Sequence, residues 1–311
     1  MTGSRAAIDV GSNSVRLLVL DADGVRVTRR MEITRLARGV DRTGRFDPQT
    51  FEHTLDVIAD FRRTALELGV DDRMRIGATS AVRDAADRDR FVHAVRDCTG
   101  IDVEVLSGDQ EALLAFRGAL GAVDVARPAA VVDVGGGSTE VIVGDARDAV
   151  VASVSLQVGC VRLTERCLAS DPATPDELAA ARTEVDTQVA RMREVLSAGG
   201  ADLTGARSLV AVAGTATTIA AIHLGLDHYD ETRIHGTRMP RAALAALTER
   251  LVGLDAAARA TMGCVQPGRE DVIHAGALVL HAIVDAGGFD EVVVSEADGL
   301  DGLAASLDRP A

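Results

Sequence analysis

The chain has 311 residues, enough for two domains that each bury a core of their own. Apolar residues make up 47% of it and aromatic residues only 2%, and all 33 basic residues are arginine, so a lysine-dependent Walker loop is excluded. A formal net charge of −14 disfavours nucleic acid or an anionic membrane as the main partner. No apolar run is long enough to cross a bilayer and the N-terminus leads straight into a predicted strand, so we expect no signal peptide and a cytoplasmic protein.

The first 120 residues alternate between predicted strands and helices, the pattern of an α/β layered fold. Asp47 and Pro48 start an amphipathic helix with a capping residue and a proline in its first turn, and Gly69 ends it. The other predicted elements here are a β-meander over 8–36, strands over 73–78 and 101–106, and helices over 84–100 and 110–120.

A hinge is predicted over 123–128, and the alternation continues after it. Thr174 and Glu177 form a capping box for a helix that Gly199 ends. The remaining predicted elements are strands over 131–145, 150–156, 208–213 and 292–295, and helices after Gly159, after Gly214, over 241–251, 256–262 and 271–286, and from Gly299.

One strand–turn–strand unit occurs twice. Residues 131–145 consist of an apolar run ending in an aspartate, three glycines, Ser-Thr-Glu and a second apolar run, and residues 8–21 repeat this pattern 124 positions earlier (133 − 9 = 124). The matched pairs are Asp9 with Asp133, Val10 with Val134, Gly11 with Gly135, Ser14 with Ser138, Val19 with Val143 and Asp21 with Asp145. The repeat predicts two domains that share one architecture.

Each glycine turn can bind an anion, because backbone amides without neighbouring Cβ atoms can approach it closely. Asp133 and Glu140 flank the second turn, where they could hold a divalent cation against the same anion. A lone triglycine is equally well explained as a hairpin with two solvated acids, but two copies favour a clamp for a chain of phosphates. Arg16 and Arg83 can add positive charge to it.

Four motifs together resemble the exopolyphosphatase / guanosine pentaphosphate phosphohydrolase family in its short, two-domain form. They read Ile8-Asp9-Val10-Gly11-Ser12-Asn13-Ser14, Ser107-Gly108-Asp109-Gln110-Glu111-Ala112, Asp133-Val134-Gly135-Gly136-Gly137-Ser138-Thr139-Glu140 and Gly159-Cys160-Val161-Arg162. The resemblance implies an α/β fold of two duplicated ribonuclease-H-like domains, the actin-like or sugar-kinase-like superfold, with a cleft between them. We expect domains over 1–124 and 125–311, with the last helix able to pack back on the first domain.

The resemblance also implies roles for individual residues. Glu111 matches the general base, Asp133 and Glu140 match acids near the metal and the attacking water, and Arg83 matches an arginine that reaches the phosphates. Asp9 is the third expected ligand of Mg²⁺ or Mn²⁺. The expected phosphate-binding residues are Gly11, Ser12, Asn13, Ser14, Arg16, Gly135, Gly136, Gly137, Ser138 and Thr139.

Some of these residues have a plainer explanation when taken alone. Glu111 would then be an ordinary acid in the first turn of a helix, and Arg16 a surface or structural arginine. The turn over Gly214 to Thr217 parallels a nucleotide-binding turn of the superfold, but helix–strand packing explains it equally well. The ending Ser295 to Gly302 lacks the basic residue that many relatives carry there.

The function implied is release of terminal orthophosphate from inorganic polyphosphate, of short chains in particular, by in-line attack of water. The alternative is removal of the 5′ γ-phosphate from guanosine pentaphosphate. A kinase of the same fold is disfavoured by the Ser-Gly-x-x-Glu-Ala element, and a non-catalytic phosphate-chain sensor requires the loss of an acid that is present here. The resemblance further implies a homodimer. The four widely spaced cysteines predict reduced, structural thiols and no zinc site.

Overall fold

The computed structural model describes residues 3–12, 14–38 and 40–308. The chain divides into two compact units, Met1–Gly118 with Gly299–Ala311 and Ala119–Asp298. The boundary predicted from the sequence, after residue 124, lies in the loop between the helix that ends at Gly121 and the strand that begins at Ala129.

Strands and helices are numbered in chain order. The first stretch contains β1 (Arg5–Val10), β2 (Ser14–Leu20), β3 (Arg26–Ile33), α1 (Val40–Thr43), α2 (Pro48–Glu67), β4 (Met74–Ala78), α3 (Ser80–Asp84), α4 (Arg88–Thr99), β5 (Val103–Val105) and α5 (Gly108–Gly121). The second contains β6 (Ala129–Val134), β7 (Thr139–Gly144), β8 (Val150–Leu156), α6 (Cys160–Cys167), α7 (Pro175–Ala198), β9 (Ser208–Val212), α8 (Ala213–His223), α9 (Glu231–Ile234), β10 (Arg238–Pro240), α10 (Arg241–Val252), α11 (Ala256–Ala260), α12 (Ile273–Gly287) and β11 (Glu291–Val294). The chain closes with α13 (Gly299–Ala305), and 3₁₀ turns lie at Leu203–Gly205 and Ser306–Asp308.

The two units contain the same sheet. In the first, the strand order is β3-β2-β1-β4-β5, with an antiparallel meander on one side and parallel β4 and β5 on the other. In the second, β8-β7-β6-β9-β11 repeats that order and those directions, and the short β10, which the sequence analysis missed, extends it antiparallel to β11. The predicted fold class, α/β with two ribonuclease-H-like domains, is therefore confirmed.

The two repeated hairpins also share their register. Asp9 lies opposite Arg16 in the first, and Asp133 lies opposite Glu140 in the second. Both turns are closed by the same hydrogen bond of 3.0 Å, from the amide of Gly11 or Gly135 to the carbonyl oxygen of the serine three residues later, Ser14 or Ser138. The 124-residue offset therefore relates equivalent backbone positions.

The helix ends follow from local chemistry. Asp47 caps α2 by accepting hydrogen bonds from two amides of its first turn, and Thr174 and Glu177 form the predicted capping box of α7. The apolar face of α2 buries Phe51, Ile58 and other residues against the first sheet. Because α12 is apolar on nearly all sides, it is buried in the core of the second unit.

The last helix belongs to the first unit. Leu300 and Leu303 of α13 form a buried cluster with Ala7 and Leu18 of the first sheet. Gly302 approaches the backbone of α5 so closely that a side chain there would collide with it. In the described part of the chain, no helix has the length and hydropathy that a membrane crossing requires.

Candidate active site

The first glycine turn carries an ion pair. Nε and Nη2 of Arg16 lie 3.1 Å and 2.5 Å from the same carboxylate oxygen of Asp9, because the two residues are cross-strand partners on one face of the sheet. The positive charge expected to hold phosphate is thus compensated within its own hairpin, and the roles predicted for both side chains stay predictions.

The backbone of this turn is fixed at both ends. The amide of Gly11 donates to the carbonyl of Ser14, and the carbonyl of Ser12 accepts from the amide of Ala37 at 2.9 Å. The predicted phosphate ligand Asn13 lies outside the described residues.

Glu111 and Arg83 lie together, a pairing that the sequence analysis did not foresee. Nη1 of Arg83 donates to the carbonyl of Leu106 at 2.9 Å and lies 3.3 Å from a carboxylate oxygen of Glu111, whose side chain is 43% exposed. Ser107 and Gln110 exchange hydrogen bonds between side chain and backbone and so fix the start of α5. Glu111 is therefore held at the N-terminal end of its helix and remains open to solvent.

The second hairpin carries two acids where the first carries an ion pair. Asp133 and Glu140 are direct cross-strand partners, so their carboxylates project from the same face. Glu140 accepts a hydrogen bond of 2.8 Å from Ser155 on the adjacent strand. Two like charges in this arrangement repel each other unless a cation lies near them.

The triglycine turn is anchored by the N-terminus of α6. The amides of Cys160, Val161 and Arg162 donate to the carbonyl oxygens of Gly135 and Gly136 at 2.9 to 3.0 Å. These first-turn amides have no partner within their own helix, and the turn satisfies them. The carbonyls of the turn therefore point towards the helix.

Gly159 is the residue that permits this contact. A Cβ atom there would lie 2.6 Å from the carbonyl oxygens of both Gly135 and Gly136, which is closer than a carbon and an oxygen atom that are not bonded can approach. Next to the turn, Thr139 is buried and its hydroxyl donates to the carbonyl of Val158 at 2.6 Å. The hydroxyl predicted to bind phosphate thus donates its proton to the loop that follows β8, which leaves only the backbone of Thr139 to donate a hydrogen bond to phosphate.

A third glycine contact lies at the end of β9. Gly214 follows Ala213, whose φ of 63° is strained for a residue with a side chain. A Cβ atom on Gly214 would collide with the guanidinium of Arg269, which donates through Nε to Gln266 at 3.2 Å. Gly214 is recognisable from the sequence but Arg269 is not, because no local pattern connects two residues so far apart in the chain.

The thiol of Cys160, at the N-terminus of α6, is not activated as a nucleophile. Burial raises the pKa of this thiol, against smaller opposite effects of Thr215, nearby backbone amides and Arg269. A raised pKa disfavours the thiolate that would attack a phosphorus atom.

The predicted metal ligands do not form a ready-made cage. Among the described residues, no group of three or more histidine, cysteine, aspartate or glutamate side chains is arranged to hold a metal ion. Mg²⁺ is commonly held by one or two carboxylates together with substrate phosphates, so the pair of Asp133 and Glu140 fits a metal that binds with its substrate.

Comparison with known proteins connects this geometry to one family. The model of the Ppx/GppA phosphatase family matches residues 19–302. The chain is 42% identical to exopolyphosphatase 2 of Mycobacterium tuberculosis, covering 97% of this chain and 98% of that protein. It is 32% identical to exopolyphosphatase 1 of Mycobacterium bovis, covering 90% and 80%.

A solved structure agrees. The crystal structure of the Ppx/GppA phosphatase of Aquifex aeolicus superposes with a TM-score of 0.87 over 98% of this chain and 99% of that one, at 27% identity. Similarity over nearly the whole length, in sequence and in structure, shows that this chain belongs to the Ppx/GppA phosphatase family, a family of hydrolytic enzymes.

Proposed function

We propose that this protein is an exopolyphosphatase, which releases terminal orthophosphate from inorganic polyphosphate by attack of water. The observation that carries the proposal is the 42% identity, over almost the full length of both chains, to a protein named exopolyphosphatase. The presence of Glu111, Asp133 and Glu140 supports a catalytic protein over a phosphate-chain sensor.

In the proposed reaction, Glu111 takes the proton from the attacking water. Its support is its position in the first turn of α5, a helix whose start Ser107 caps, and the contact of its carboxylate with Arg83. A general base needs a fixed position and access to water, and Glu111 has both. The amides of the triglycine turn would hold phosphate oxygens.

We propose that Asp133 and Glu140 bind Mg²⁺, or Mn²⁺ in its place. Support comes from the two carboxylates of one hairpin, which are cross-strand partners on one face of the sheet. The bound metal would neutralise charge on the phosphoryl group during transfer. Asp9 stays a predicted third ligand, and its ion pair with Arg16 competes with that role.

Removal of the metal tests this assignment. Dialysis against a chelator should abolish phosphate release, and Mg²⁺ should restore it. In Asp133→Asn, the Mg²⁺ concentration needed for half-maximal activity should rise about tenfold or more, since one charged ligand is lost. Full activity in the chelator would exclude a metal-dependent reaction.

The substrate is tested by comparing phosphate release from polyphosphates of several lengths with release from guanosine pentaphosphate. We propose that short polyphosphates are preferred, with the acidic surface of the protein as support. Degradation of a very long polymer without intermediates would contradict that preference. A higher kcat/KM for guanosine pentaphosphate would replace the proposed substrate with the alternative one.

Two further properties are proposed, the oligomeric state and the location in the cell. A homodimer follows from the family resemblance alone, and light scattering at several protein concentrations tests it. A cytoplasmic location is supported by the four cysteines, all of which are free thiols, as expected in a reducing compartment. Fractionation of the source cells tests the location.

A further inference from the structure

Arg162 lies against the triglycine turn. Its amide donates to the carbonyl of Gly136 at 3.0 Å, and its guanidinium covers Gly137, where a Cβ atom would lie 3.5 Å from Nη2 and 3.9 Å from Cζ. Gly137 is exposed and Arg162 is half-buried. The arginine therefore places positive charge at the solvent-facing end of the turn.

The guanidinium of Arg162 is positioned by a hydrogen bond to a neutral side chain. Nη1 of Arg162 donates to the side-chain oxygen of Gln157 at 2.6 Å. Within the described ranges, no carboxylate lies within 4.0 Å of its guanidinium, and Nε and Nη2 have no hydrogen-bond partner. By contrast, Arg16 is paired with Asp9, and Arg166, one helical turn further along α6, is paired with Glu184 at 3.6 Å.

A cation beside the amides of a glycine turn has an obvious use in binding an anion. A guanidinium with two donor nitrogens to spare can bind phosphate oxygens in a bidentate way, and it needs no proton exchange to do so. A neutral hydrogen-bond acceptor fixes its direction without cancelling its charge. A carboxylate in place of Gln157 would hold the arginine more tightly but would compete with phosphate.

We propose that Arg162 binds a phosphate group of polyphosphate at the triglycine turn and that Gln157 is the positioning residue that keeps this arginine uncompensated. The inference rests on the proposed function, since it assigns a binding residue for the same substrate. Arg162 contributes to holding the chain, so its loss should raise KM much more than it lowers kcat.

The first test compares two arginines of one helix. Arg162→Gln and Arg166→Gln remove the same charge from α6, but only the first touches the turn. Arg162→Gln should raise KM for polyphosphate about tenfold, the loss expected for one charge-assisted contact. Arg166→Gln should change KM less than about twofold, because its charge is paired and exposed. Equal effects of the two variants would overturn the proposal.

The second test uses a nearly isosteric change that leaves Arg162 in place. Gln157→Glu keeps the shape of the side chain but converts the hydrogen bond into an ion pair. If Arg162 binds phosphate, KM should rise about threefold or more while the melting temperature is unchanged or higher. If the arginine only fastens α6 to the turn, KM should stay at the wild-type value, and that result would overturn the proposal.

Binding of tripolyphosphate by calorimetry, without divalent metal, separates this inference from the function it rests on. Wild type that neither binds nor hydrolyses polyphosphate would contradict the proposed function. Wild type that does both, with Arg162→Gln binding tripolyphosphate as tightly as Arg166→Gln, would leave that function standing and remove Arg162 from it. Arg162→Lys keeps the positive charge but lacks the planar guanidinium that can bind phosphate in a bidentate way. Its affinity for tripolyphosphate should lie between those of the wild type and Arg162→Gln.

Discussion

Among single residues, the side chain on which the proposed chemistry depends most is that of Glu111. Replacing it with glutamine removes a proton acceptor while keeping size and polarity, so kcat should fall about 100-fold or more with a small change in KM. The measurement is steady-state phosphate release. Asp109→Asn, an exposed acid in the same helical turn, is the control and should retain wild-type kcat. Comparable losses in both variants would remove the special role of Glu111.

At Gly214 we expect a substitution to affect substrate binding with little effect on stability. The atoms that a Cβ would strike belong to the end of the flexible side chain of Arg269. In Gly214→Ala the guanidinium can move away, so the unfolding free energy should change by less than about 1 kcal/mol. The turn over Gly214 to Thr217 parallels a nucleotide-binding turn of the superfold; if Arg269, which lies against this turn, binds a phosphate of the substrate, KM should still rise about threefold or more. An unchanged KM would exclude that role.

At the scale of elements, the contact between α6 and the triglycine turn is the one that the site depends on. In Gly159→Ala the clash involves backbone carbonyls, which cannot rotate away as a side chain can. Stability should therefore fall by about 1 to 3 kcal/mol, and KM should rise as the turn separates from the helix.

The control for Gly159→Ala is Gly205→Ala in the same unit. A Cβ atom at Gly205 meets nothing within 4 Å, and its φ is not in the left-handed region. Melting temperature and KM should both stay close to the wild-type values in this variant. If Gly159→Ala behaved in the same way, the close contact between α6 and the turn would have no functional importance.

Elements whose signals are local were predicted well. Asp47 and Thr174 mark helix starts through capping, and the 124-residue repeat predicted two equivalent hairpins, which share one register. The short β10 escaped prediction because three residues carry no periodicity. The positions of Arg269 over Gly214 and of Arg162 over Gly137 depend on tertiary contacts, and a linear pattern does not contain them.

At the scale of the whole molecule, stability should depend on pH through His274. This histidine is buried and, in the described structure, its Nδ1 has no hydrogen-bond partner. Burial, together with the nearby charge of Arg259 and against that of Asp171, lowers the pKa of His274 to about 4. The unfolded chain takes up a proton near pH 6.5, whereas the folded chain does so only near pH 4, so stability is present above pH 6.5 and is lost as the pH falls.

Urea unfolding at pH 7 and pH 5 checks this prediction. Between these values the wild-type protein should lose about 2 kcal/mol more stability than His274→Asn, which has no group that titrates there. The comparison uses the change with pH, so a general destabilisation by the substitution does not affect it. The same loss in both proteins would show that other groups cause the acid sensitivity.

The fold as a whole followed from the repeat and the motifs, whereas the charge balance of the site did not. In the sequence, Arg16 of the first hairpin stands where the second has Glu140 (140 − 16 = 124), which indicates one basic and one acidic turn. In the structure, Arg16 is paired with Asp9, whereas Arg162 beside the second turn donates to the amide oxygen of Gln157 and has no carboxylate within 4.0 Å among the residues that the structure describes. Charge compensation is set by side-chain contacts, which a motif does not specify.

The most direct test of the central claim is phosphate release by the purified protein from inorganic polyphosphate in the presence of Mg²⁺, measured beside Glu111→Gln. We expect the wild-type protein to release orthophosphate and the variant to release it about 100-fold or more slowly. Absence of release from polyphosphates of every length, by a protein shown to be folded, would contradict it.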